Sequence, residues 1–179
     1  RLHLGSGWRY LPGWQHLDIT KRDHIDFVGS VSELSQFDQD SVDVIYASHL
    51  LEYFDASEAV EVLSEWRRVL RLGGEIYLAV PDFKALLKIY ERTDDISKIL
   101  GPLFGKMESD VGTIYHRTVY DKGSLFSVLE QVGFGEIEEY DPVAFLGNFD
   151  SAYDDHSLAF FPHMDRSGIQ VSLCLKATK

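Results

Sequence analysis

The sequence predicts an α/β protein built on an open, mostly parallel sheet, with helices on both faces and an antiparallel strand late in the chain. Three observations predict it. Short apolar runs alternate with segments of helical period along most of the chain, the pattern of strand–helix–strand crossovers. One of these runs, Val42-Asp43-Val44-Ile45-Tyr46-Ala47, is nearly continuous in apolar residues, as in a strand covered on both faces. The first run, Leu2-His3-Leu4, leads straight into Gly5-Ser6-Gly7. Glycine lacks a Cβ and lets the backbone come close to a ligand, and the carboxyl end of the first strand of such a sheet is where the ligand crevice opens.

The elements follow in order. After the glycine turn, Pro12-Gly13 marks a further turn and opposes a long regular helix before Trp14. His16–Ile19 reads as a second short strand that ends near Asp18, and Ile25–Val28 as a third, closed by Gly29-Ser30. Val42–Ala47 is the fourth. Asp55, with Glu58 three residues on, opens a helix in the manner of a capping box. Ala59, Val62, Leu63, Trp66, Val69 and Leu70 form its apolar stripe, and Gly73-Gly74 is expected to stop it. Ile76–Val80 is the fifth strand. Asp82 caps a helix with Phe83, Leu86, Leu87 and Tyr90 on one side, and residues 93–119 are expected to form short helical pieces and loop. Asp121 starts another helix, closed by Gly133, and Phe134–Tyr140 is a strand. An irregular stretch runs from Pro142 to Ser167. Ile169–Leu175 alternates as a final strand with one polar face.

Composition bounds the function. With 179 residues, 45% of them apolar and including 11 Phe, 9 Tyr and 3 Trp, the chain can bury a sizeable core, and residues 1–179 are read as one domain. A net charge of −12 repels a phosphate backbone, so nucleic acid is not an expected partner. The single cysteine, Cys174, sits in an apolar alternation and reads as a buried structural thiol. No apolar run is long enough to cross a bilayer and no signal-peptide pattern is read, so no membrane partner and a cytoplasmic location are expected. Oligomeric state is not legible.

The polar residues at successive strand ends carry the chemistry. Asp18 suits a carboxylate that accepts from two ribose hydroxyls, or a plain turn acid. Ser30-Val31 suits contact with a base edge, or an ordinary turn.

Read together, several motifs in this order resemble class I S-adenosylmethionine-dependent methyltransferases. They are His3-Leu-Gly-Ser-Gly7, Asp18, Ser41-Val-Asp-Val-Ile-Tyr-Ala-Ser-His-Leu-Leu-Glu52, Glu65-Trp-Arg-Arg-Val-Leu-Arg-Leu-Gly-Gly74, Val80-Pro-Asp82 and Leu129-Glu-Gln-Val-Gly-Phe134. The likeness spans roughly residues 2 to 140 and is nearest to the type 11-like branch with Leu-Pro-Gly-Trp after the glycine motif. It implies a Rossmann-like sheet and a chain that moves a methyl group from S-adenosylmethionine to an acceptor, leaving S-adenosylhomocysteine. It also implies that His3, Gly5, Ser6 and Gly7 approach the methionine part of the cofactor. Asp18 would hold the ribose, Ser30 and Val31 would lie beside the adenine, and Ala47, Ser48 and His49 would line the centre of the site. Arg9 suits a forked contact with the cofactor carboxylate. A dinucleotide fingerprint would want a third glycine where Tyr10 stands, which counts against a nicotinamide enzyme.

A hydroxyl or amine acceptor needs a group to take its proton. The candidates are His49, Glu52, Asp82 and His116, each with a structural alternative: Asp82, for one, also fits its helix cap. The acidic, aromatic stretch 141–167 is expected to act as a lid or acceptor loop. Its Asp154, Asp155, His156 and His163 lack tight ligand spacing, so no metal is expected. The acidic surface favours a small-molecule or glycan-type acceptor. The rival reading is a non-catalytic methyltransferase-like module that binds cofactor or a partner.

Overall fold

The structure is a computed structural model, and it describes residues 1–109, 112–146, 156–162 and 166–179. Its centre is a seven-stranded sheet made of β1 (Leu2–Leu4), β2 (Gln15–Asp18), β3 (Phe27–Val28), β4 (Val42–Ser48), β5 (Leu70–Pro81), β8 (Gly135–Glu139) and β11 (Ser172–Thr178). The order across the sheet is β3-β2-β1-β4-β5-β11-β8. The first five run parallel, and β11 lies antiparallel between β5 and β8. The order reverses at β1, between β2 and β4, so a crevice opens at the carboxyl ends of these strands.

One face of the sheet packs under α1 (Ala56–Val69) and α4 (Lys122–Val132). The stripe Ala59, Val62, Leu63, Trp66 and Val69 is buried, as its three-and-four spacing requires. Trp66 is wholly buried and its indole N–H donates to Val31 O at 2.8 Å, which satisfies the one polar atom of a large core side chain. Asp55 caps α1 with a complete capping box, and Asp121 does the same for α4. The opposite face presents Val44, Tyr46 and Tyr77 to Leu11, Trp14, Leu158 and the short helix α5 (Pro142–Leu146). Phe145 of α5 stacks on Tyr77 with ring centroids 4.2 Å apart. A third cluster joins α2 (Phe83–Thr93) and α3 (Ser97–Phe104) through Leu86, Ile89 and Ile99.

Several boundaries depart from the sequence expectation. Helix α1 ends at Val69, and β5 starts at Leu70, before the glycine pair. Gly73 and Gly74 lie inside β5, where the pairing with β4 shifts register between Val42 and Val44. A Cβ on Gly74 would stand 2.9 Å from Arg71 O and 3.0 Å from Asp43 O, so close backbone approach at a bulge accounts for that glycine. Within 93–119, α3 is followed by a hairpin, β6 (Lys106–Ser109) with β7 (Gly112–Tyr115), rather than loop. The stretch expected to be irregular contains α5, a 3-10 turn at His156–Leu158 and β9 (Phe160–Phe161). The expected last strand is divided at Val171: β10 (Ile169–Gln170) pairs with β9, and β11 enters the main sheet. Ser172 to Leu175 are all buried, because β11 is an inner strand, so its one polar face is not realised. Cys174 is buried, as expected.

Candidate active site

The turn after β1 is held open by two left-handed glycines, Gly5 at φ +59° and Gly7 at φ +58°. A Cβ on Gly5 would meet Leu50 at 2.7 Å, so the turn lies tightly against the segment after β4. Beside Gly7 the space is open. Gly5 N–H donates to Leu17 O at 2.8 Å, and Gly7 N–H donates to Asp18 Oδ2 at 2.9 Å. These two bonds tie the turn to the end of β2. Ser6 is fully buried and its hydroxyl finds no partner among the described residues. An open-sided glycine turn, an orphaned hydroxyl and a carboxylate at the next strand end fit a polar ligand with a sugar.

Asp18 is 8% exposed and well used already: Thr20 N–H donates to Oδ1 at 2.8 Å, and Arg22 Nη1 lies 3.3 Å from the same oxygen. The Arg22 guanidinium stacks 4.5 Å over the Trp8 ring. Sequence reasoning did not single out Arg22. Its spacing of four from Asp18 was the available signal. At the end of β3, Ser30 is exposed, and its hydroxyl contacts Ser32 at 2.7 Å in a tight turn. Asp26 and residues 27–30, with Glu33, Ser35 and Gln36, line an open crevice of about 460 Å³. Val31 faces the core instead, beneath α1. His3 lies within β1, buried with its ring 5.1 Å from Tyr46 and 5.5 Å from His16. Arg9 stands close enough to Tyr53 for its charge to act on that phenol.

Ala47 and Ser48 end β4 buried, and His49 follows in a left-handed conformation at φ +50°, its N–H bonded to Ala79 O at 2.8 Å. That backbone region is uncommon for a residue with a Cβ, and strain of this kind gathers at functional sites. His49 Nε2 lies 2.7 Å from Ser172 Oγ and Nδ1 lies 3.4 Å from Glu52 Oε1. Glu52, in a 3-10 turn at Leu51–Tyr53, is buried to 1% exposure. Neither carboxyl oxygen makes a hydrogen bond among the described residues. Burial pushes its pKa up to about 8, against a smaller lowering by its own backbone N–H. His116 arrives from the far side. Its Nε2 lies 3.8 Å from Glu52 Oε1, while Nδ1 contacts Pro102 O at 2.9 Å. Burial holds His116 below the usual histidine range, partly offset by the Pro102 contact. A Cβ on Gly105 would stand 2.1 Å from His116 Nε2, so only glycine leaves room for the ring.

Glu52, His49 and His116 therefore converge. Asp82 does not join them: it caps α2 by accepting from Lys84 N at 3.0 Å and lines a separate crevice with Tyr140, Gln170 and Ser172. Asp154, Asp155 and His163 lie outside the described residues, as does much of the expected lid. Among the described residues no group of three or more His, Cys, Asp or Glu is arranged to hold a metal ion.

Residues 15–78 match the family described as a methyltransferase domain. The chain carries the class I S-adenosylmethionine-dependent methyltransferase fold. The family match starts after the glycine turn and takes in Asp18, His49 and Glu52. Among solved structures, the methyltransferase fold recurs in an S-adenosylmethionine-dependent enzyme from Archaeoglobus fulgidus, with TM-score 0.56 and 16% identity over 99% of this chain and 85% of that one. It recurs in one from Thermotoga maritima, with TM-score 0.58 and 13% identity over 99% and 81%. A third is the 1,6-didemethyltoxoflavin-N1-methyltransferase of Burkholderia thailandensis, solved with S-adenosylhomocysteine, with TM-score 0.55 and 13% identity over 99% and 69%. No curated protein matches the chain in sequence. Fold and family match together support S-adenosylmethionine as the cofactor.

Proposed function

We propose that this methyltransferase moves a methyl group from S-adenosylmethionine to a small-molecule or glycan-type acceptor. The observation that carries the reading is the bond from Gly7 N–H to Asp18 Oδ2, which joins the glycine turn to a carboxylate at the crevice. When bound, S-adenosylmethionine supplies a sulfonium methyl group open to in-line attack by the acceptor. Asp18 keeps lone pairs for ribose hydroxyls once Arg22 yields its place. Gly5, Ser6 and Gly7 hold the methionine part, with Arg9 reaching its carboxylate. Gly29 and Ser30 flank the adenine over the open crevice. His49, Glu52 and His116 gather where an acceptor's proton is to be taken up. A chain with net charge −12 suits a small or sugar-like acceptor better than a polyanion.

The test is calorimetry with S-adenosylmethionine, followed by turnover against hydroxyl and amine acceptors. Replacing Asp18 by Ala removes charged hydrogen bonds and is expected to weaken cofactor binding by about 1.5–3 kcal/mol. Unchanged affinity in that variant would take Asp18 out of the site.

A further inference from the structure

Asp18, at the end of β2, has its acceptor positions nearly full. Oδ2 accepts from Gly7 N–H, while Oδ1 accepts from Thr20 N–H and from Arg22 Nη1. A carboxylate oxygen has two lone pairs, so Oδ1 is saturated and Oδ2 has one left. A ribose presents two adjacent hydroxyls, and a carboxylate that grips both gives one oxygen to each. One donor must therefore leave Oδ1. Thr20 N–H, fixed by the backbone two residues on, holds the shorter bond at 2.8 Å. Arg22 holds the poorer one. Its Nη1 lies 3.3 Å from Oδ1 and 3.3 Å from Thr20 O, both beyond the usual span of such bonds. Its buried Nε meets no acceptor among the described residues. What keeps the guanidinium in place is its cover: the exposed Trp8 ring stacks 4.5 Å over it, and the Arg22 side chain is only 16% exposed.

The geometry points to Arg22 as the residue that sets cofactor affinity: on Asp18 its guanidinium holds the place of a ribose hydroxyl, and the cofactor binds by displacing it. This rests on the methyltransferase reading above. Guanidinium and sugar both offer hydrogen to the same oxygen, so they compete. Trp8 directly follows Gly7, whose N–H reaches Asp18, and Arg22 lies four residues past Asp18. The ring can thus keep the guanidinium over the carboxylate while the space beside Gly7 stays open. A displaced Arg22 gives up only two long bonds, and Asp18 stays anchored by Gly7 and Thr20. The affinity of the chain is lowered by the fraction of molecules in which Arg22 holds the site. Without Arg22 the carboxylate is always open, so association quickens and dissociation does not change.

The experiment is calorimetry and stopped-flow binding of S-adenosylmethionine and S-adenosylhomocysteine to the wild-type chain, to Arg22→Ala and to Arg22→Gln, which is shorter and uncharged. The two ligands share the ribose, but only the first carries the sulfonium charge. Loss of a competitor tightens both alike, whereas mere removal of a positive charge from the site favours the sulfonium alone. Both ligands are expected to bind Arg22→Ala about three- to tenfold more tightly, the worth of a weak ion pair with its stacking. Tighter binding of both ligands through faster association, in either variant, supports the proposal. S-adenosylhomocysteine bound no more tightly by either variant, or a gain carried by slower dissociation, overturns it. Binding by the wild type with no gain in the variants removes this proposal alone. No binding of either ligand to any of the three chains removes the methyltransferase reading, and this proposal with it.

Discussion

At the residue scale, Glu52 makes stability depend on pH in an unusual direction. Its folded pKa, about 8, lies above the ordinary 4.5, so between these values the folded chain holds a proton that the unfolded chain has lost. Stability from this group is complete below pH 4.5 and drains away as pH rises through 8. Buried His16 and His116 work the other way, since burial holds both below 6.5, and their effect is spent once pH exceeds that value. Between pH 6.5 and 8 the effect of Glu52 is therefore separate from that of these two histidines. Glu52→Gln is expected to flatten a fall on the order of a few kcal/mol across this range, read from urea midpoints at several pH values. Glu52, His49 and His116 were each visible in the sequence as titratable residues near strand ends or in the middle loop. Their convergence was not, because it depends on His116 returning from beyond α3 and on Gly105 making room for the ring. Ser172 was hidden for the same reason: its contact follows from strand register and not from any local pattern.

At the element scale, helix starts were the most legible features. Asp55, Asp82 and Asp121 all cap as read, since a cap is a pattern within four residues. Asp55→Ala should cost about 1 kcal/mol of stability, measured by thermal unfolding. Breaking the Asp55–Arg117 ion pair adds little at these exposed positions. Strand limits were less legible. Gly73-Gly74 reads locally as a helix stop, yet the helix has already ended and the pair serves a bulge whose cause is Asp43 on another strand. The break at Val171 is equally non-local, because the alternation continues through it while the pairing partner changes from β9 to β5. The β6–β7 hairpin lies on the surface, and its residues carry no apolar alternation strong enough to announce it.

At the scale of the whole molecule, the fold class was readable because buried parallel strands leave continuous apolar runs that surface strands do not. The strand order was not readable, since nothing within β11 says that it inserts between β5 and β8. That placement is testable. A chain stopped before Ser172 would expose the facing edges of β5 and β8 and uncover Leu78, Val80 and their neighbours. It is expected to lack cooperative thermal unfolding, whereas removal of an edge strand as short as β3 would leave most of the core paired.

The inserted strand also sets a timetable for biosynthesis. As the chain leaves the ribosome, β1 to β5 and then β8 are complete before residues 172–178 exist, so two raw sheet edges must wait apart for a strand that has yet to be made. Throughout that interval the nascent chain presents unpaired backbone to its neighbours. Chaperone engagement should therefore persist until the segment from Ser172 to Thr178 has cleared the exit tunnel.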